Sequence, residues 1–206
     1  MSVHVRPGRA DEARTLAPLL YAVNPDMHDR FAGDRHRALD LIAEAFDNPG
    51  HGNSAEVVRV AEFDAAPAGV IGCYPDWERS GRGRADVRLG LRRAALARRP
   101  LMLAFVLRMR RAIPESPREA LYVDALATAP EFRRRGVARA LLDAAADEAR
   151  RLGLIRICLE TEADNVPARR LYESCGFQPA AQGRRLRGVP RFVSYVRELG
   201  AIRPSP

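Results

Sequence analysis

The fold is decided by residues 120–139, which read Ala-Leu-Tyr-Val-Asp-Ala-Leu-Ala-Thr-Ala-Pro-Glu-Phe-Arg-Arg-Arg-Gly-Val-Ala-Arg. Residues 121–128 are a short apolar run with β-branched and aromatic side chains, ended by Ala-Pro, which predicts a largely buried strand. Over residues 137–152 the apolar side chains recur at helical spacing, and Gly153 is a typical helix stop. The sequence therefore predicts a strand, a short basic loop and an amphipathic helix in succession.

The junction between this strand and this helix has the features of an anion-binding site. The first turn of a helix presents free backbone N–H groups and the positive end of the helix dipole. Gly136 and Ala138 carry almost no side chain, so a phosphate could approach their backbone closely. Fixed positive charge suited to phosphate oxygens comes from Arg133, Arg134, Arg135 and Arg139. We therefore predict that the loop binds a pyrophosphate.

The same loop resembles the coenzyme A pyrophosphate loop of the GNAT superfamily of N-acetyltransferases. The family consensus, Gln/Arg-x-x-Gly-x-Gly/Ala, is matched by Arg133-x-x-Gly136-x-Ala138. Residues 165–177 are similar to the next segment of that family, Asn-x-x-Ala-x-x-Leu-Tyr-x-x-x-Gly-Phe, and they include Tyr172. Two motifs in the right order, separated by a predicted helix and strand, make a specific signal. The close resemblance covers about 60 of the 206 residues.

This resemblance implies both a fold and an activity. The fold would be α/β (α+β) of the GNAT type, with a mixed, mostly antiparallel central sheet and helices on both faces. The activity would be transfer of an acetyl group from acetyl-CoA, without a metal, to a primary amine by direct attack. The acceptor could equally be a small molecule or the N-terminus of a protein or peptide.

The resemblance also implies which residues bind the cofactor. In the family the central strand splays from its neighbour, and its free backbone groups bind the pantetheine arm; here these are the backbones of Leu126, Ala127 and Thr128. The pyrophosphate would bind the loop formed by Arg133, Arg134, Arg135, Gly136, Val137, Ala138 and Arg139. Asn165 matches an asparagine that contacts the pantetheine or caps the helix. Both roles stay open, because Asn165 also stands at a predicted helix start.

Two residues are candidates for acid–base catalysis. Tyr172 matches the tyrosine that protonates the coenzyme A thiolate in many members, and a phenol suits this role because its ordinary pKa lies near that of a thiol. Strand alternation places Tyr122, Asp124 and Leu126 on one face, and Asp124 is the ionised candidate for general base. Burial would raise its pKa towards neutrality, whereas pairing with an arginine would lower it. The rival bases are Glu160, Asp26, His28 and Asp29.

Composition restricts the class of protein. The chain has 206 residues and an apolar fraction of 47%, which is typical of a globular chain with a substantial core. No apolar run could span a bilayer and the N-terminus lacks the apolar segment of a signal peptide, so we expect no membrane association and a cytoplasmic location. The three cysteines form neither a metal pattern nor an even disulfide set, and we expect them to be reduced.

The charge of the chain keeps other functions open. The net charge is +8 and every basic residue is arginine, which suits either a solvated surface or an anionic partner such as a nucleotide cofactor, an acidic substrate or RNA. The absence of lysine excludes a lysine nucleophile. Two alternatives to amine acetylation therefore remain: an acetyltransferase acting on charged tRNA, and a non-catalytic acyl-CoA-binding module that regulates a partner.

We predict one domain over residues 1–206, with an inserted segment at about residues 76–119. Strands are predicted over residues 2–6, 56–63, 68–74, 177–184 and 191–199, helices after Asp11 and over residues 34–46, and a loop over residues 25–33. Within the insertion we predict a loop at residues 80–84 and a helix over residues 94–113. The insertion could cap the substrate pocket, form a contact in a homodimer, or cover the sheet.

Overall fold

The computed structural model describes residues 3–115 and 117–200, and within them the chain forms one seven-stranded sheet. The strands are β1 (Val3–Pro7), β2 (Val58–Phe63), β3 (Ala66–Pro75), β4 (Ala120–Thr128), β5 (Arg156–Glu162), β6 (Gln178–Gln182) and β7 (Phe192–Glu198). Their order across the sheet is β1-β2-β3-β4-β5-β7-β6. Among these strands β4 and β5 pair in parallel and all other neighbours are antiparallel. The predicted mixed, mostly antiparallel sheet is confirmed.

Helices cover both faces of this sheet. They are α1 (Ala13–Tyr21), α2 (Pro25–Ala32), α3 (Arg35–Asp47), α4 (Arg79–Arg93), α5 (Arg99–Ala112), α6 (Val137–Arg151) and α7 (Val166–Ser174). On one face, Leu141 and Leu142 of α6 are fully buried in a core with β3, β4 and β5. On the other face, Leu16 and Leu20 of α1 pack with Phe46 of α3 against β2 and β3. The predicted α/β class, with helices on both faces, is confirmed.

A β-bulge interrupts the central strand at Asp124. The register between β3 and β4 shifts between Gly72 and Cys73, which leaves Asp124 without a partner on β3. An extra residue of this kind moves the alternation of side chains by one position. Leu126 therefore packs in the core beneath α6, on the opposite face of the sheet from Tyr122. The prediction that Tyr122, Asp124 and Leu126 share one face is wrong for this reason.

The two central strands separate partway along their length. β4 and β5 pair only from Ala120 to Val123, opposite Arg156 to Leu159. Beyond this point β4 continues to Thr128 paired with β3, and β5 continues to Glu162 paired with β7. The edge of β4 that faces β5 thus has no ladder partner on β5 beyond Val123, and a gap opens between the strands.

One predicted loop, over residues 25–33, is a helix. The side chain of Asn24 caps α2, with its Oδ1 accepting the N–H of Met27 at 3.1 Å, and Pro25 occupies the first turn. Both features are typical of a helix start. The prediction is wrong because an Asn-Pro pair that follows a helix also looks like the end of that helix.

The segment between β3 and β4 consists of α4 and α5, joined by a short 3₁₀ turn at Leu96–Arg98. The helix predicted over residues 94–113 corresponds to α5, which begins at Arg99. The loop predicted at residues 80–84 is wrong, because these residues form the first turns of α4. The sequence predicted a loop because Gly81 and Gly83 lower the helix propensity of this segment.

Arg82 anchors α4 against the rest of the protein. Its Nε and Nη2 donate to Oε2 of Glu78 at 2.8 Å and 2.6 Å, and its Nη1 donates to Oε1 of Glu56 at 2.7 Å and to the backbone oxygen of His51 at 2.9 Å. The guanidinium also lies over the ring of Tyr74, 5.1 Å from its centroid. A buried guanidinium with several charged partners fixes the position of its helix firmly.

The ends of the chain agree broadly with the predicted elements. The first predicted strand corresponds to β1, although its residue 2 lies outside the described residues, as do residues 201–206 of the predicted domain. The last predicted hairpin corresponds to β6 and β7. Across the described part of the chain, none of the helices combines the length and the apolar character needed to cross a bilayer.

We expect Gly69→Ala to lower the free energy of unfolding by about 1–3 kcal/mol, as overpacking substitutions do. A Cβ at Gly69 would lie 2.7 Å from the backbone oxygen of Ala127 and 2.8 Å from Cγ1 of Val137, so β4 or α6 would have to move. Urea unfolding measures the change. Gly72→Ala on the same strand is the matched control, because the nearest atom to its new Cβ would be 3.4 Å away. Equal losses in both variants would contradict the packing explanation.

Candidate active site

The N-terminus of α6 lies at the end of the basic loop that follows β4. Gly136 precedes the helix with a φ of +82°, a left-handed conformation that favours glycine, and none of the described side chains caps the helix. The N–H groups of the first turn therefore point out of the helix without a capping side chain. Such a helix start can bind an anion such as a phosphate.

The four arginines of this loop have different surroundings, although all four are exposed. Arg135 packs over two phenylalanine rings, with its guanidinium carbon 5.3 Å and 5.9 Å from their centroids. Arg139 donates from Nη2 to a backbone oxygen of α7 at 3.2 Å. Arg133 and Arg134 lie between β4 and the helix start. The loop can therefore present guanidinium groups to an anion at the start of α6.

The gap between β4 and β5 lies next to this loop. Leu126, Ala127 and Thr128, whose backbones are predicted to bind the pantetheine arm, form the end of β4 at the gap. The hydroxyl of Thr128 is buried and has no hydrogen-bond partner within the described residues. Asn165 caps α7 through its Oδ1, which accepts the N–H of Ala168 at 3.2 Å. The structure thus shows Asn165 in its capping role. Its side-chain amide nitrogen is the atom that could donate a hydrogen bond to a ligand.

Tyr172 lies on α7 and is 8% exposed, with its ring packed on Phe177 and Tyr195 at centroid distances of 6.0 Å and 5.9 Å. Burial, with a smaller contribution from Cys175, raises the pKa of the Tyr172 phenol to about 12. The phenol therefore stays protonated at neutral pH and can donate a hydrogen bond. This pKa of about 12 is higher than the ordinary pKa of tyrosine and lies well above that of a thiol. The Tyr172 phenol is therefore a weaker acid than the coenzyme A thiol.

A cavity of about 1480 Å³ extends from the gap to the space enclosed by α2, α4 and α5. Tyr172 and Asn165 line it on the side of α7, and Asp124 lines it from β4. The bulge gives Asp124 this position, because a residue without a partner on β3 can turn away from the regular pleat. The candidate acid and the candidate base thus face one space from two different elements.

The carboxyl of Asp124 has the properties of a general base. Desolvation by the surrounding protein, together with the nearby carboxyl of Asp86, raises its pKa to about 6, while the positive charge of Arg79 and a hydrogen bond from Tyr74 act in the opposite direction. The side chain is nevertheless exposed to the cavity, so water or an acceptor can reach it. An accessible carboxyl whose pKa lies near neutrality is suited to accept a proton.

The rival bases have other partners or positions. Glu160 is only 6% exposed in its side chain and accepts two hydrogen bonds from an arginine of α4, at 3.0 Å and 3.2 Å. Asp29 accepts a hydrogen bond from the hydroxyl of Tyr21 at 3.0 Å. His28 stacks on the same ring, with 5.8 Å between centroids, and burial lowers its pKa. Asp26 lines the cavity and is exposed. Glu160, His28 and Asp26 line the same cavity as Asp124, and Asp124 combines an exposed side chain with a pKa raised to about 6.

The site contains residues that the sequence patterns did not reveal. Oδ1 of Asp86, on α4, lies 2.7 Å from Nδ1 of His51, and its Oδ2 accepts the N–H of Gly52 at 3.3 Å. A Cβ on Gly52 would lie 2.9 Å from Oδ2 of Asp124 and 3.0 Å from Oδ2 of Asp86, so these two oxygens are within about 6 Å of each other. Burial raises the pKa of Asp86. The sequence feature that could have indicated these residues is His51, which stands between Gly50 and Gly52 in a predicted turn.

Comparison with known proteins identifies a family model that matches the sequence. The model, described as the Acetyltransferase (GNAT) family, matches residues 20–177, which is well over half of the chain. No protein of curated function has a significant sequence match to the chain. The matched range includes both halves of the site, from α2 to the end of the Tyr172 segment.

Solved structures have the same fold at low sequence identity. An N-acetyltransferase from Staphylococcus aureus Mu50 aligns with a TM-score of 0.74 at 19% identity, over 94% of this chain and 99% of that one. The yncA protein of Salmonella typhimurium, solved with its cofactor acetyl-CoA, aligns at 0.58 and 18%, over 100% and 98%. The ribosomal-protein-S18-alanine N-acetyltransferase of Escherichia coli aligns at 0.55 and 16%, over 100% and 99%. At these identities the likeness concerns the fold.

The raised pKa of Asp124 predicts a pH-dependent effect on stability. Because the folded protein disfavours the ionised carboxyl, the cost of ionisation is fully present above about pH 6 and disappears as the pH falls towards about 4, where the unfolded chain also takes up the proton. We expect Asp124→Asn to raise the free energy of unfolding near pH 8 and to change it little near pH 4, as measured by urea unfolding.

The control for this measurement is Asp147→Asn, which changes a carboxyl that is 75% exposed on α6. It should show no stabilisation that appears only at the higher pH. A loss of stability in Asp124→Asn near pH 8, or an equal gain at both pH values, would contradict the raised pKa.

Proposed function

Because this chain belongs to the acetyltransferase (GNAT) family, we propose that it transfers the acetyl group of acetyl-CoA to a primary amine by direct attack. The observation that supports this proposal best is that Asp124 and Tyr172 line one cavity beside the gap between β4 and β5. The basic loop begins where β4 ends, and we take the path from this loop through the gap to the cavity as the binding path of the cofactor.

In this proposal the cofactor lies along that path. Its pyrophosphate binds the N–H groups at the start of α6, over residues 136–139, together with Arg133 and Arg134. Its pantetheine arm runs through the gap and forms hydrogen bonds with the free backbone edge at residues 126–128, as a strand would. The side-chain amide nitrogen of Asn165 can add a donor from the other side of the gap.

The amine reaches the thioester from the other end of the cavity. An amine binds as an ammonium ion, and Asp124, ionised above about pH 6, takes one proton from it directly or through water. The lone pair of the neutral nitrogen then attacks the thioester carbonyl carbon. The N–C bond forms, the C–S bond breaks with its electron pair on sulfur, and the second nitrogen proton is lost to solvent.

Tyr172 stabilises the leaving thiolate in this scheme. Because burial raises the pKa of its phenol to about 12, above that of a thiol, donation of a hydrogen bond to the developing negative charge is favoured over complete transfer of the proton. A hydrogen bond to a charged group is stronger than one to a neutral group. The thiolate can then take its proton from water as the cofactor leaves.

Gly136→Glu should abolish binding of acetyl-CoA, because it adds bulk and negative charge where the phosphates would lie. Isothermal titration calorimetry of wild type and variant measures the effect. Gly153→Glu is the matched control, since Gly153 stands at the other end of α6 with a similar φ of +71°, and at both positions an added Cβ would have no described atom within 4 Å. Equal loss of binding in both variants would indicate strain in α6 rather than a phosphate site.

Asp124→Asn should lower kcat/KM for the amine by about 100-fold or more, the usual contribution of a general base. In the wild type kcat/KM should rise with pH up to about 6 as Asp124 loses its proton, and this acid limb should vanish in the variant. Tyr172→Phe should lower kcat by about 10- to 100-fold, as expected for one hydrogen bond to a charge, and should keep the acid limb.

Both variants should bind acetyl-CoA as the wild type does. Asp26→Asn is the control for the base, because Asp26 is another exposed carboxyl that lines the cavity, on α2 and not on β4. Full activity of Asp124→Asn, or an equal loss in Asp26→Asn, would contradict the assignment of Asp124. Binding of acetyl-CoA without turnover of any amine by the wild type would instead support a binding module without catalysis.

A further inference from the structure

The cavity beside Asp124 is lined by apolar as well as charged side chains of α2, α4 and α5. Along α5, Leu103, Val106 and Leu107 line the cavity, at the spacing of a single helix face. Phe31 of α2 lines the same space and packs closely on α4 beside Gly90. An acceptor in this cavity can therefore contact apolar side chains.

Two of these apolar side chains are exposed. Leu103 is 42% exposed and Leu107 is 53% exposed, although both face the cavity. A bound molecule with an apolar surface would remove them from water, which is favourable in proportion to the area covered. Leu101 and Leu96 are also exposed, at 68% and 75%, but they lie outside the cavity lining.

The carboxyls of Asp124 and Asp86 give the cavity a negatively charged floor, although the chain as a whole has a net charge of +8. The exposed charged side chains of the lining carry both signs, with Arg84, Arg88 and Arg110 together with Asp26 and Glu115. A positive charge is therefore favoured at the floor, next to the two carboxyls.

The position of Asp86 is fixed by its neighbours. His51 lies 2.7 Å from its Oδ1, and the N–H of Gly52 holds its Oδ2. Because a Cβ at position 52 would fill the space next to both carboxyls, glycine leaves room there. An ammonium group has three donors and can bond to both carboxyls at once. Asp86 of α4 thus adds a second hydrogen-bond acceptor to the carboxyl of Asp124 on β4.

We propose that the acceptor is a small monoamine with an apolar body. Its ammonium group binds beside Asp124 and Asp86, and its hydrocarbon part lies against Phe31 and against Leu103 and Leu107 of α5. This inference rests on the proposed acetyl transfer and narrows its substrate class. A diamine whose hydrocarbon part occupied the same place would put its second charge against these apolar side chains. A short polar amine would leave the leucines in water.

The size of the cavity agrees with this occupancy. Its volume of about 1480 Å³ exceeds the range of about 300–1,000 Å³ that is common for sites of one small ligand. The excess is expected if the cavity holds both the acetylated arm of the cofactor and a separate acceptor. The apolar side chains in question lie on α2 and α5, whereas the basic loop follows β4.

The test is a series of amines assayed with the wild-type protein at saturating acetyl-CoA. From ethylamine to hexylamine, kcat/KM should rise by about three- to four-fold for each added methylene, the usual effect of burying one CH₂ group. Butylamine should exceed putrescine, which has the same carbon chain and a second charge, by at least about ten-fold, because an unpaired charge against apolar side chains is unfavourable. Phenylethylamine should also be a good substrate.

The double variant Leu103→Gln with Leu107→Gln tests whether these two leucines cause the preference for longer amines. It should lower kcat/KM for hexylamine by about ten-fold, because apolar contact area is lost, and leave ethylamine and acetyl-CoA binding unchanged. The matched control is Leu96→Gln with Leu101→Gln, which changes two exposed leucines outside the cavity lining. The control should behave as the wild type with every amine.

The outcomes separate this inference from the proposed activity. Turnover of all amines at similar rates, or a preference for putrescine, would overturn the inference and leave acetyl transfer to amines intact. Faster turnover of the peptide Leu-Ala-Ala-amide than of hexylamine would overturn the small-molecule class. Turnover of no amine by a protein that binds acetyl-CoA would overturn the proposed activity and this inference with it.

Discussion

The structure depends on the separation of β4 from β5 after Val123 and Leu159. Both strands continue for several residues beyond this point, so pairing stops although the backbone to extend it is present. Buried backbone groups without partners are unfavourable unless water or a ligand satisfies them. The gap is therefore understandable as a binding site and not as an ordinary part of the core. Asp124 and Tyr172 face it from a strand and a helix that the gap itself holds apart.

The parts of the site with local signals could be predicted from the sequence. A glycine ahead of an amphipathic helix, with arginines beside it, indicates the loop and α6 without knowledge of any distant residue. The face of Leu126 could not be predicted in this way, because the bulge at Asp124 arises from pairing with β3. Asn24 shows a different limit: one Asn-Pro pair is compatible with the end of one helix and with the start of the next.

The parts of the site that could not be predicted depend on interactions between distant segments of the chain. Asp86 and His51 are 35 residues apart and meet because Arg82, one turn earlier on α4, is held by Glu56 and Glu78. Nothing in the sequence distinguishes Asp86 from an ordinary surface acid. The pKa of Tyr172 also depends on tertiary packing, since the residues that bury its ring come from other elements. The type of a residue indicates its chemistry, but its neighbours determine its strength as an acid or base.

The basic loop and the neighbouring carboxyls of Asp124 and Asp86 carry opposite charges in different parts of the candidate site. A ligand with an anionic end and a neutral end has one favourable orientation in such a field, with its phosphates towards α6 and its uncharged end towards Asp124. A cationic ligand is drawn to the two carboxyls instead. Two substrates of opposite charge would thus be directed to different parts of the site before any specific contact forms, and the reacting groups of both would point towards the boundary between the two fields.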